Sequence, residues 1–93
     1  MAIANFKCSE TQAVFEGRRS AQFANLRRVL ERKLQSLNLA TSINDLRTPP
    51  ANRLEALDGD RKGQHSIRVN DQFRLCFIWT ADGPTDVECV DYH

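Results

Sequence analysis

Signatures of metal binding and of disulfide bonding are missing from this chain. It has three cysteines, Cys8, Cys76 and Cys89, an odd number with no CxxC spacing, and two histidines, His65 and His93. That inventory fits neither a disulfide framework nor a zinc centre. The cysteines read as small reduced hydrophobes, and no metal is expected. Glycine is scarce too: the four residues do not cluster into a phosphate-cradling loop, and no Ser-His-Asp order is present, so neither a nucleotide cofactor nor a serine nucleophile is indicated. The longest strongly apolar run, Leu75 to Trp79, is far too short to cross a membrane. Residues Met1 to Lys7 lack the apolar stretch of a signal peptide. The expectation is a cytoplasmic protein with no cofactor and no membrane partner.

Excess charge is also lacking. The net charge is +1, too small to draw in nucleic acid through a bulk field. Its distribution is uneven. Residues 1–35 hold seven bases and three acids, and residues 61–75 hold four bases and one acid. Residues 76–93 hold four acids and no base. A local basic strip suffices to contact phosphates, while the acidic tail argues against a broad nucleic-acid footprint.

What is present is one domain over residues 1–93 with two hydrophobic periods. Ala2 to Phe6 reads as a short strand. Ser9, with Gln12 three residues on, reads as a helix N-cap, and Gly17 as the stop of a helix over residues 11–16. Ser20 is a second N-cap candidate, opening a helix over residues 21–37. There Phe23, Leu26, Leu30, Leu34 and Leu37 recur at steps of three and four. Pro49-Pro50 reads as a linker to the sheet. Beyond it the period changes to two: Leu54 and Ala56, Gln64 to Val69, Phe73 to Trp79 and Asp86 to Asp91 read as strands, with turns at Asp58-Gly59-Asp60 and Asp82-Gly83-Pro84. The class is α+β, in the order β-α-α-β-β-β-β, with two N-terminal helices on one face of a small, mainly antiparallel sheet.

The register of one hairpin follows from its sequence. A three-residue loop, Asn70-Asp71-Gln72, opposes Val69 to Phe73 and Ile67 to Leu75, and sets Arg68 against Arg74 on the other face. A two-residue loop would put Arg74 on the same face as Ile67 and Val69, and burying an arginine by such a slip costs several kcal/mol by order of magnitude. Like charges directly opposite on neighbouring strands are destabilising. Either an anion binds between them, or each reaches solvent or a carboxylate such as Asp91 or Glu88.

Guanidinium groups hold phosphate, and histidine moves protons near neutral pH. The stretch from Gly59 to Phe77 and the closing Asp91-Tyr92-His93 therefore suggest metal-free cleavage of RNA. In that chemistry Arg74 and Arg68, helped by Arg61 or Lys62, stabilise the phosphorane. His93 transfers a proton, Tyr92 stacks on a splayed base, and Asp91 orients His93 or acts as a base. The bland readings are a solvated Arg61 and Lys62, a tyrosine closing the core edge, and a histidine without a role. His65 reads as structural.

Those segments resemble the HigB-type toxins, the plasmid maintenance killer family of the RelE/ParE-like superfamily. The likeness is densest in Asn52-Arg53-Leu54-Glu55-Ala56-Leu57, Gly59-Asp60-Arg61-Lys62-Gly63-Gln64, Ser66 to Arg74, and Asp91-Tyr92-His93. It implies a RelE-like fold and a ribosome-dependent mRNA endoribonuclease that acts at the ribosomal A site and stops translation. It also implies a HigA-type helix-turn-helix antitoxin, through which alone the toxin would meet operator DNA. By resemblance, Arg74, Asp91, Tyr92 and His93 are catalytic, and Arg61, Lys62 and Arg68 bind RNA. Two positions depart from the pattern: Asp58 stands where relatives often carry lysine, and Glu55 where some carry histidine. Lys62 is the nearest substitute for the lost cation. A catalytically weak RNA- or ribosome-binding regulator, or an antitoxin-binding co-repressor, is the alternative.

Overall fold

The computed structural model describes residues 1–92; His93 lies outside the described residues. Helix α1 covers Ser9–Phe15 and α2 covers Arg27–Leu39. Strands β1 (Glu55–Ala56), β2 (His65–Arg68), β3 (Phe73–Thr80) and β4 (Gly83–Asp91) form one antiparallel sheet in the order β1-β2-β3-β4. Short 3₁₀ turns at Ala24–Leu26, Ile43–Arg47, Pro50–Asn52 and Gly59–Arg61 fill the connections. No helix among the described residues is long and apolar enough to cross a membrane.

The apolar stripe foreseen from the spacing forms the helical half of the core. Phe23, Leu26, Leu30, Leu34 and Leu37 are all buried, against Ile67, Leu75, Phe77 and Val87 of the sheet. Each such side chain contributes about 1.5–3 kcal/mol relative to exposure. The helix itself starts later than Ser20 suggests. A 3₁₀ turn precedes it and turns Phe23 inward, edge-on to Phe73 at 5.9 Å and 87°. The Ser20 hydroxyl donates to Glu10 Oε1 instead of capping. Ser9 is likewise inside α1, and Cys8 is the N-cap without a side-chain bond, while Gln12 donates to Glu16. The stop at Gly17 holds. Its φ of 78° lets Gly17 N–H reach Val14 O and Arg18 N–H reach Ala13 O, the pair of bonds that closes a helix on a left-handed residue.

The first segment is a bridge and not a strand. Phe6 pairs in parallel with Val87, Ala4 N–H donates to Pro84 O, and Lys7 N–H donates to Val87 O. Asp86, at φ 50°, interrupts the ladder and sends its N–H to the Asn5 side chain. The segment still covers the outer edge of β4, where unpaired groups would otherwise be exposed. Gly83 permits this approach: a Cβ there would stand 2.3 Å from Ala2 O, on a residue at φ 109°. Gly83→Ala is expected to lose more than about 1 kcal/mol, visible as a lower urea midpoint. An unchanged midpoint would mean that the Ala2 segment gives way freely.

The β2–β3 register is the one the sequence dictates: Ile67 opposes Leu75 and Arg68 opposes Arg74. The loop is three residues long, and Asn70 Oδ1 accepts from both Gln72 N–H and Phe73 N–H. One sheet face thus meets the helices. The other carries Ser66, Arg68, Arg74, Cys76 and Glu88, and the candidate site lies on it.

Candidate functional site

Arg74 anchors the site from the central strand β3. Strand alternation aims it away from the helices, yet its side chain is only 11% exposed. The 3₁₀ turn at Pro50–Asn52 and strand β1 close over it. Its Nε donates to Ser66 Oγ at 2.7 Å, and its Nη2 donates to Arg53 O at 2.7 Å and to Ser66 O at 3.3 Å. The Glu55 carboxylate lies 3.3 Å from the same Nη2, and the Tyr92 ring centroid is 6.0 Å from the guanidinium carbon. Arginine has five N–H donors in a fixed fork. Nε and Nη2 are engaged, and no described residue accepts from Nη1. Among the described residues, the fork is thus held on its Nε and Nη2 edge, with no partner on Nη1.

Arg74 lines a cleft of about 540 Å³ together with Arg53, Arg68, Asn70, Asp71 and Tyr92. Arg68 pairs with Asp71 across the hairpin loop, and neither Asp91 nor Glu88 is the partner recorded for it. Asp71 is 99% exposed, and an ion pair so wet contributes at most about 1 kcal/mol. A phosphate can displace it with little loss. The opposed arginines are therefore tolerated because each has a carboxylate beside it, Asp71 for Arg68 and Glu55 for Arg74.

The remaining expected site residues divide. Tyr92 joins the arginines, and its backbone is fixed by its N–H to Gln72 O at 2.8 Å. Asp91 opposes Phe73 in the ladder, one step out of phase with Tyr92, and accepts from Gln72 Nε2. Arg61 sits further along the same face, bonded to Glu88 Oε1 at 2.9 Å and to Gln64. The hydrogen bond to Glu88 holds Arg61 above the ordinary arginine range, against the opposing effect of burial. Its charge is thus largely matched before any anion arrives. Lys62 is exposed and is not among the residues that line the cleft. His93 lies outside the described residues. The other histidine, His65, faces the helices, stacked on Phe77 at 6.4 Å.

Two features of the site escape sequence reasoning. Arg53 lines the cleft, although no role attached to it, and Pro49-Pro50 does not serve as a plain linker. Pro50 opens the 3₁₀ turn whose last residue, Asn52, is fully buried. Asn52 Nδ2 donates to Leu46 O and Thr48 O, and its Oδ1 accepts from Lys33 Nζ. Burial, then the nearby Arg32 and Arg68, push the Lys33 ammonium below its usual range. This polar knot fixes the turn, and the turn presents the Arg53 carbonyl to Arg74. The only signal in the sequence was the Asn52-Arg53 pair within the stretch of strongest resemblance.

Comparison with known proteins agrees with the geometry. The family model for the RelE-like toxin of type II toxin-antitoxin system HigB matches residues 6–93. Toxin HigB-1 of Vibrio cholerae serotype O1 is 50% identical over 70 residues, covering 75% of this chain and 73% of that protein. An uncharacterized protein of Haemophilus influenzae is 50% identical over 54 residues, covering 58% of this chain and 54% of that one. Among solved structures, a YoeB/ParE toxin from Agrobacterium tumefaciens aligns over the full length of both chains with a TM-score of 0.58 at 18% identity, a likeness of fold. With its sheet, helices and arginine cleft in place, the chain belongs to the HigB-like toxins of type II toxin–antitoxin systems.

Proposed function

We propose that this toxin is a metal-independent, ribosome-dependent mRNA endoribonuclease. One observation carries the reading: three guanidinium groups and a tyrosine ring share one open cleft, with a carboxylate 3.3 Å from the central arginine. Cleavage then needs no external reagent. The 2′-oxygen attacks the adjacent phosphorus, its proton passes to a base, and the 5′-oxygen leaves with a proton from an acid. The products are a 2′,3′-cyclic phosphate and a free 5′-hydroxyl. Arg74 Nη1 and Arg68 stabilise the charge that builds on the phosphorane. Glu55, 3.3 Å from Arg74 Nη2, takes the 2′-hydroxyl proton, and His93, oriented by Asp91, supplies the proton to the leaving oxygen. Tyr92 stacks on the base beside the scissile phosphate. Arg61 and Lys62 add charge at the margin.

The shape of the site supports dependence on the ribosome. The cleft is open, and Tyr92 is the one aromatic residue among the described residues that line it, so we assign alignment of the 2′-oxygen with the phosphorus to the ribosome. Correct alignment is worth several kcal/mol, on the order of 7–11 in favourable cases. A decoding site that holds mRNA in a fixed path supplies it. Cutting of free RNA is expected to be negligible, and cutting of ribosome-bound mRNA clear, with 5′ ends mapped within codons. Equal rates on naked RNA in matched buffer would exclude the ribosome's role. No cutting on either substrate would favour the alternative of a catalytically weak RNA-binding regulator or antitoxin-binding co-repressor.

The family places the toxin in a pair with an antitoxin. We take the partner to be a HigA-type helix-turn-helix protein that also provides the contact with operator DNA, and the site of action to be the cytoplasm, where ribosomes are.

A further inference from the structure

We infer that Arg53 is an RNA-phosphate contact of this cleft, holding the phosphate next to the one that Arg74 engages. The inference rests on the RNA-cleaving reading and adds a binding residue to it. Arg61, Arg68 and Arg74 each already have a carboxylate partner within the protein: Glu88, Asp71 and Glu55. Arg53 lines the same cleft, is exposed, and among the described residues has no side-chain hydrogen bond or ion pair. It is the cleft-lining guanidinium with nothing to give up when an anion arrives.

Its backbone makes the same point independently. Arg53 stands at φ 47° and ψ 55°, the left-handed region that glycine or asparagine occupies at less expense. The turn imposes this conformation: Arg53 N–H donates to Pro50 O at 3.1 Å, Arg53 O accepts from Arg74, and buried Asn52 locks the residues before it. The backbone needs a left-handed residue at position 53 and makes no use of the arginine side chain. A large cation kept where glycine would fit better points to a ligand outside the chain.

The same fact yields a clean test. Arg53→Gly keeps the carbonyl that orients Arg74, relaxes the backbone and removes only the cation. The thermal midpoint should hold or rise. Binding is measured with a fluorescein-labelled single-stranded RNA, 2′-O-methylated so that it resists cleavage, across a series of salt concentrations. Affinity at low salt should fall roughly tenfold or more, and the slope of log K against log salt should shrink by about 0.7, as for one lost phosphate contact on a single strand. Arg53→Lys should recover much of the affinity. Arg53→Asn, also tolerant of the left-handed region, repeats the test if the glycine loosens the turn. Unchanged affinity and slope in the glycine and asparagine variants overturn the assignment, as does a wild-type chain with no measurable RNA affinity. A wild-type chain that binds RNA through Arg53 but cuts nothing on ribosomes leaves the contact standing and removes the nuclease reading.

Discussion

Arg74→Ala is expected to abolish growth inhibition while leaving a folded but less stable domain. Two effects must be kept apart. In the proposed reaction, the Nη1 edge of Arg74 meets the phosphate as charge develops on it. Hydrogen bonds to charged groups are worth about 1.5–3 kcal/mol each, so losing two slows the chemistry by roughly 10²–10⁴-fold. In the fold, Arg74 also holds the Ser66 hydroxyl and the Arg53 carbonyl. Ser66 is fully buried, so the orphaned hydroxyl costs about 1–3 kcal/mol. Facing away from the helices does not make the residue dispensable to the fold, because the turn at Pro50–Asn52 covers that face. Arg74→Lys separates the two effects. It keeps a positive charge in place but cannot hold Ser66 and Arg53 O while presenting a second edge to phosphate. Single-turnover cleavage on programmed ribosomes, read beside urea unfolding, decides the matter. A folded Arg74→Ala protein that cleaves within a few-fold of wild type would remove this residue from the site.

The parts of this site that a reader of the sequence can find are those fixed by period and register. Arg68 opposes Arg74 because a slip by one residue would set an arginine on the buried face of Ile67, Val69, Phe73 and Leu75, and that penalty exceeds any local preference of the loop. The stripe from Phe23 to Leu37 is equally legible, because five large apolar residues at helical spacing have only one place to go. The same period also carried information that sequence reading passed over. In β4 and just beyond it, Asp91 and Tyr92 must alternate, so Tyr92 meets the arginines while Asp91 opposes Phe73. What could not be read is what depends on distant residues. Arginine has no propensity for the left-handed region. Its conformation at position 53 is imposed by the turn and by an asparagine bonded to Leu46, Thr48 and Lys33. The late start of α2 has a similar cause. A local capping signal at Ser20 gives way to the burial of Phe23 against Phe73, a residue fifty positions further on.

His93→Ala should slow cleavage by the roughly 10²–10⁴-fold of a lost proton-transfer group. The leaving 5′-oxygen is a poor leaving group unless it is protonated as the bond to phosphorus breaks. Among the described residues, none lining the cleft is an imidazole. His65 serves the opposite face, stacked on Phe77, and its Nδ1 is buried without a partner. The arginines do not release protons near neutral pH, and phenols ordinarily titrate about three units above it. On the proposed reading the acid is the residue that follows Tyr92. Tyr92 itself is held in the cleft: its N–H is bonded to Gln72 O, and its ring centroid is 6.0 Å from the Arg74 guanidinium carbon. Because a general acid works only while protonated, the wild-type rate should decline on the alkaline side, and His93→Ala should lose that decline together with the rate. Tyr92→Phe separates this role from the competing one. If the phenol carries the proton, that variant takes the large loss and His93→Ala the small one. Single-turnover cleavage on programmed ribosomes across a pH series, for both variants with matched unfolding midpoints, distinguishes them. A His93→Ala rate within a few-fold of wild type, with the alkaline decline intact, would take the acid role away from His93.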